Sequence, residues 1–302
     1  MRRAFSRTGC RLWLVALVCG GAALVLPGTA AAQPPMCGDT LHQSVTLHAN
    51  LNCYDAPGLI VGARGITINL NGFAIVNGDG NYYGVDNSSG FSRVTVENGT
   101  VNGFYDGVYY DSANHAKIMN VTSINNSEEG IEVINSQNGV ISGSTAGMKA
   151  AGTAMGNGDD GVYLDSNHLV SVTNTKANYN GGAGIRDYFS LDTLTSDTTN
   201  RNGQWGVFVE YPLTVSSSSG QLYWTVSKST ANYNQLDGFH VDENAPATVY
   251  QANLFGNTAK FNGQSGSGWG YFADSPAKSN NTNGAKGNSS GNCFHVKCHT
   301  LP

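Results

Sequence analysis

A glycine followed by an apolar residue recurs along most of the chain: Gly84-Val85, Gly107-Val108, Gly130-Ile131, Gly161-Val162, Gly184-Ile185, Gly206-Val207, Gly238-Phe239 and Gly270-Tyr271. Successive glycines are 23, 23, 31, 23, 22, 32 and 32 residues apart. Self-similarity at such a period marks a solenoid, in which one supersecondary unit stacks on the next. After each glycine, apolar and polar residues alternate as in a half-buried strand. The next residue is apolar in every repeat, and the third is apolar at Tyr110, Val133, Leu164, Val209 and Val241. These two rows are the expected core. A second apolar strand lies 12 or 13 residues before the glycine, as at Val94, Ile118, Val172, Leu194 and Val226. A spacing of 22 or 23 holds three short strands and three turns; the three longer spacings equal one coil plus about nine inserted residues. Four residues before the glycines stand Gly80, Gly103, Asn126, Asn157, Asn180, Asn202, Asn234 and Gly266. Asn and Gly tolerate left-handed backbone, and stacked amides can bond along the axis, so this row predicts an asparagine ladder.

The repeat resembles that of pectate-lyase-like parallel β-helix proteins over roughly residues 58–290. The stretch Gly65-Ile66-Thr67-Ile68-Asn69-Leu70-Asn71-Gly72-Phe73-Ala74-Ile75 is similar to the first-coil motif of that superfamily. The resemblance implies an all-β chain, a single-stranded right-handed parallel β-helix of about nine coils with disulfide-capped ends. It implies no single activity, since the fold carries lyases, epimerases, glycosidases and non-catalytic surface proteins.

The ends change the picture. Arg2, Arg3, Arg7 and Arg11, the apolar run Leu12 to Leu26 and Ala30-Ala31-Ala32 read as a signal peptide over residues 1–32, too short for a membrane span. The opening arginines are loosely twin-arginine-like, so the export route stays open between the two pathways. Cys37 and Cys53 fall at one end of the remaining chain, Cys293 and Cys298 at the other. In an exported protein these read as two local disulfides, within an N-terminal cap (33–57) and a C-terminal cap (291–302); neither pair has zinc-ligand spacing. Losing four arginines and no acid takes the formal charge from −5 to −9, which opposes binding to nucleic acid or anionic membrane. A secreted monomer is expected.

Outward positions carry the candidate chemistry. Two after the glycine stand Asp86, Tyr109, Glu132, Tyr163, Arg186, Phe208, His240 and Phe272; four after stand Ser88, Asp111, Ile134, Asp165, Tyr188, Glu210, Asp242 and Asp274. An aromatic and an acidic stripe on one face suit a polysaccharide, because rings cover pyranose faces and carboxylates accept hydroxyl hydrogens. The insertions at Gly147 to Asn157, Pro212 to Leu222 and Glu243 to Ala247 are expected to wall a groove. For lyase or epimerase chemistry on uronates, Arg186 would neutralise the sugar carboxylate, His240 would be the base, and Tyr163 or Tyr188 the acid. Tyr109, Asp165, Phe208, Glu210 and Asp242 would bind substrate. Asp187 sits at an inward position, so either the strand bulges or a buried carboxylate has a partner there. Asp237-Gly238-Phe239-His240-Val241-Asp242-Glu243 loosely resembles the tyrosine–histidine–acid region of mannuronan epimerases, without their Asp-Pro-His core. Asn157-Gly158-Asp159-Asp160-Gly161 is similar to the paired aspartates of polygalacturonases, whose His-Gly and Arg-Lys motifs are missing. Asp160 also shares a row with Asp106, Glu129 and Asp237, read here as structural. No metal ligand set emerges, although calcium could bridge an anionic sugar to so acidic a chain. The alternative is a non-catalytic glycan-binding or matrix protein; ice binding fails for want of a Thr row.

Overall fold

A Cβ built on the repeat glycines would strike the backbone of the next coil. At Gly130 the Gly161 carbonyl oxygen lies 2.6 Å away, at Gly161 that of Gly184 lies 2.6 Å away, and at Gly206 that of Gly238 lies 2.5 Å away. Close stacking, and not turn conformation, selects glycine here. The computed structural model describes residues 33–148, 156–210, 222–242 and 250–302, and it shows a stack of parallel strands in three sheets. The signal-peptide segment lies outside the described residues, as do most residues of the three insertions.

The first sheet has eleven strands, one per coil: Thr40–Leu41, Leu59–Val61, Val85–Asn87, Val108–Asp111, Ile131–Ile134, Val162–Asp165, Ile185–Tyr188, Val207–Glu210, Phe239–Asp242, Trp269–Ala273 and Gly291–Phe294. The register carries Val85 onto Val108, Ile131, Val162, Ile185, Val207, Phe239 and Tyr271 in turn. None of these eight is more than 1% exposed. The first two strands and the last fall outside the eight regular repeats, so a count by glycine signature stops short of the sheet's ends. Residues 33–57, expected as a cap, contribute Thr40–Leu41, Val45–Thr46 and Leu51–Asn52, which pair in parallel with the strands of the following coil. Cys37–Cys53 closes that coil and Cys293–Cys298 the other end.

The second sheet runs from Val45–Thr46 to Lys278–Ser279, and the third from Thr230–Asn232 to His299–Thr300. In the early coils they merge, because Thr95–Asn102 and Lys117–Ile124 pass through the corner between them. Asn98 and Asn120 bend these strands with φ of 60° and 54°. Asn tolerates that conformation better than other side-chain-bearing residues. Between the sheets, Trp224, Tyr110, Tyr271, Phe104 and Phe239 are fully buried among Val, Ile and Leu. Burying one such aliphatic side chain stabilises by about 1.5–3 kcal/mol, and each coil adds its share.

The ladder at the turn before the first sheet links Asn126, Asn157, Asn180, Asn202, Asn234, Asn262 and Asn288. Each amide nitrogen donates to the next amide oxygen at 2.8, 3.0, 3.2, 3.0, 3.0 and 2.9 Å. Gly266, expected in this row, is not in it. Asn262 takes the place, so part of the extra length in that coil falls between the ladder and Gly270. Two further corners carry inward polar rows that the repeat count did not show. One passes through Ser136, Asn167 and Ser190, and another through Ser144, Thr175, Asp197, Ser229, Asn257 and Asn283. Their side chains receive backbone N–H groups that the turns leave without strand partners.

Candidate functional site

The outward row of the first sheet has the expected register: Asp86, Tyr109, Glu132, Tyr163, Arg186, Phe208, His240, Phe272 and Phe294 follow one another strand by strand. Adjacent members stand about 4.8 Å apart, the strand spacing. A second row, immediately before the glycines, runs Tyr83, Asp106, Glu129, Asp160, Ala183, Trp205, Asp237 and Trp269. Where the two rows meet over the middle coils they enclose a pocket of about 430 Å³, lined by Tyr83, Tyr105, Tyr109, Tyr163 and Tyr188, the acids Glu128, Glu129, Glu132, Asp159 and Asp160, and Arg186.

Arg186 is fixed from several sides. Its Nε and Nη2 donate to the Asp160 carboxylate, the latter at 3.2 Å; Nη2 also donates to Gln204 Oε1 at 3.0 Å and lies 4.0 Å from Asp159. The guanidinium stands 5.8 Å from the Tyr188 ring centroid and 5.6 Å from those of Trp205 and Phe208. Burial opposes its charge, but the Asp160 bond outweighs this and holds the group above its usual range. Burial raises Asp160 to about 6, with Arg186 pulling the other way. Asp160, read from its row as structural, is therefore the anchor of the one arginine in the pocket.

The tyrosines are held in the neutral form. Burial, then the charges of Asp165 and Glu132, lifts Tyr163 above its ordinary value; burial and Glu210 do the same for Tyr188. These two rings lie 6.1 Å apart. Tyr109 stacks on Tyr83 at 4.3 Å and 8°. The pocket's other wall is acidic. Ligand oxygens of Asp106, Glu129 and Glu132 lie within 4.8 Å of one another. Two unit charges no farther apart than that repel by at least about 3 kcal/mol at an effective dielectric constant of about 20. Burial and this crowding push Asp106 and Glu129 well above the usual carboxylate range, and burial lifts Glu132 to about 7. The sequence signal for this wall was Ser127-Glu128-Glu129-Gly130-Ile131-Glu132, three acids around one repeat glycine with Asp106 one coil before.

The other expected residues are spread more widely. His240 is not in this pocket. It stacks between Phe208 and Phe272 at 5.3 and 4.8 Å, with Nδ1 2.6 Å from Asp237 Oδ2. It lines a smaller hollow of about 230 Å³ with Trp205, Trp269 and Phe272. Phe208 is only 5% exposed and packs against Trp205 at 4.5 Å, so its ring is covered by neighbours. Asp165, Glu210 and Asp242 lie beside the pocket and beyond it, in register with Tyr188. Asp187 is fully buried inside the coil, on a strand paired in even register, and its Oδ2 accepts Trp224 Nε1–H at 2.6 Å. There is no bulge; the inward carboxyl has a partner and does not reach the outward face. Most residues of the insertions expected to wall the groove, Gly147 to Asn157, Pro212 to Leu222 and Glu243 to Ala247, fall within 149–155, 211–221 and 243–249, outside the described residues.

A family model described as a right-handed β-helix region matches residues 83–283. The chain belongs to the right-handed β-helix family. No curated protein matches the sequence. Among solved structures, the β-helix protein is similar to the A-module of the Azotobacter vinelandii mannuronan C-5 epimerase AlgE6, at 15% identity and TM-score 0.49, covering 90% of this chain and 87% of that one. It is similar to pectate lyase Pel9A at 16% identity and TM-score 0.49, covering 87% and 69%. It is also similar to the Agl-KA catalytic domain at 13% identity and TM-score 0.46, covering 87% and 61%. Likenesses this distant assign no chemistry, so the site must be read from its own groups. The two disulfides fit an oxidising compartment, and among the described residues no helix is long and apolar enough to cross a membrane.

Proposed function

We propose that this is an exported, polysaccharide-directed β-helix protein that holds a saccharide unit in the tyrosine-ringed pocket over the coils of Tyr109 to Tyr188. The observation that carries the reading is Arg186, immobilised by Asp160 and flanked by Tyr163 and Tyr188 on an open face. Ring faces and carboxyl oxygens around one fixed cation match the alternating apolar and hydroxyl surfaces of a sugar. Proton transfer of the lyase or epimerase kind is the chemistry favoured here. Tyr163 and Tyr188 keep their protons at neutral pH and so can donate one, a carboxylate of the pocket's acidic wall would accept the proton alpha to the sugar carboxyl, and the adjacent cation stabilises the negative charge developing on a uronate. Because Asp160 already balances Arg186, its charge acts as a fixed dipole-like partner more than as a free counter-ion.

One observation favours the second reading, a glycan binder without turnover. His240, the expected base, is packed between two phenylalanines outside the pocket. A screen against uronate-containing and neutral polysaccharides separates the two, following unsaturated uronate by ultraviolet absorbance and inverted uronate by NMR. Turnover that Tyr188→Phe or Tyr163→Phe lowers at least tenfold supports catalysis. Binding without turnover leaves the glycan binder, and neither binding nor turnover overturns both.

A further inference from the structure

The row before the repeat glycines places acids in the same structural position in four coils: Asp106, Glu129, Asp160 and Asp237. Two of them have a basic partner. Asp160 bonds to Arg186, and Asp237 to His240 Nδ1 at 2.6 Å. Asp106 and Glu129 have only other carboxyl groups as close ligand-type neighbours, Glu132 for both and also Glu128 and Asp159 for Glu129; among the described residues, no Lys, Arg or His forms an ion pair with Asp106, Glu129 or Glu132. Asp106 is wholly buried. Its Oδ1 accepts the Glu129 backbone N–H at 3.0 Å, and no donor reaches Oδ2, although the carboxyl faces those of Glu129 and Glu132. A buried carboxylate oxygen without donor or cation is costly, and the surrounding chain offsets it only by protonation within the crowded carboxyls themselves.

We infer that Asp106, Glu129 and Glu132 bind a divalent cation of the calcium type, which takes the place held by Arg186 and His240 in the later coils. Ligand type agrees: three carboxyl groups supply hard oxygen ligands, the preference of Ca²⁺. One oxygen from each lies within 4.8 Å of the others, close enough for a single ion to touch all three. The three ligands come from two adjacent coils, with Asp106 just before Gly107 and Glu129 and Glu132 flanking Gly130, so the ion ties these coils together. This claim does not rest on the saccharide reading, although Glu129 and Glu132 also line that pocket.

Terbium luminescence on the full mature chain tests the site, because Tyr83, Tyr105 and Tyr109 stand close enough to sensitise a bound lanthanide. The inference expects a saturable signal of one ion per chain, displaced by Ca²⁺, and a thermal midpoint raised by Ca²⁺ and lowered by chelator. Glu132→Gln and Glu129→Gln should each weaken terbium binding at least tenfold and abolish the calcium shift in midpoint. Asp159→Asn, which removes a member of the neighbouring carboxylate group formed with Glu128 and Glu129, should leave both nearly unchanged. Circular dichroism of each variant guards against loss of fold, and Glu132→Gln, a part-exposed isosteric change, is the one least disruptive to it. No saturable signal overturns the site, as does a signal undiminished in both glutamine variants or lost only in Asp159→Asn.

Discussion

Asp160 is 1% exposed and its charge is balanced by a single side chain. Removing one partner of a buried pair leaves the other uncompensated, which costs about 3–5 kcal/mol. Arg186→Ala should therefore destabilise by about 3 kcal/mol in urea unfolding, and Arg186→Ala with Asp160→Asn by clearly less than the sum of the two single changes. Asp197 is a different case. Burial raises it to about 8, against the Thr175 and Thr195 backbone bonds that lower it, and its Oδ2 has no donor. A folded pKa above the unfolded value near 4 means that the folded state binds the extra proton between those limits. Stability contributed by this group is thus complete below about pH 4 and falls by about 1.4 kcal/mol per unit up to about pH 8. Asp197→Asn, which places an amide where the same row has Asn257 and Asn283, should remove that slope. Denaturant unfolding across this pH range measures it, and an unchanged slope would contradict protonation of Asp197 in the fold.

At the scale of the strand and turn, the repeat glycine governs how closely coils stack. A methyl group at Gly184 would stand 2.7 Å from the Gly206 carbonyl oxygen, the Thr199 Cβ and the Asn202 amide alike. Backbone has nowhere to move without breaking the ladder, so Gly184→Ala should cost about 1–3 kcal/mol. Its effect should appear in hydrogen exchange as faster exchange in the coils of Ile185–Tyr188 and Val207–Glu210 before distant ones. The strands were legible because this glycine and the alternating residues after it repeat without register slips in the first sheet. The inward polar corners at Asn167 and Asp197 were not, since Ser, Thr, Asn and Asp share them and no single residue type marks the row. Asp187 shows the same limit. Its inward position followed from alternation, but its partner, Trp224, lies 37 residues away on another sheet.

Across the whole molecule, stability accumulates coil by coil and the ends are weakest. Reducing Cys37–Cys53, which closes a loop of 16 residues, should cost about 3 kcal/mol and fray the first coil ahead of the rest. Hydrogen exchange that stays uniform along the chain after reduction would count against this. The overall architecture could be read from spacing alone, whereas the pocket could not. Arg186, Tyr163, Tyr188 and Tyr109 were singled out as outward residues, but the row before the glycines, with Asp160, Glu129 and Asp106, lies beside them only once the coils are stacked. His240, chosen for its chemistry, stacked into an aromatic column because its row neighbours are both phenylalanine.

The most direct test of the saccharide reading is affinity electrophoresis of the mature protein through gels containing uronate and neutral polysaccharides. The account predicts that at least one of them retards the protein, and that Tyr163→Ala or Tyr188→Ala weakens the retardation about tenfold or more. Tyr233→Ala, an exposed ring stacked on Phe261 and under Arg201, should leave it unchanged. Mobility unaffected by every polysaccharide, or retardation that Tyr233→Ala weakens as much as the pocket variants, would contradict a saccharide site on this face.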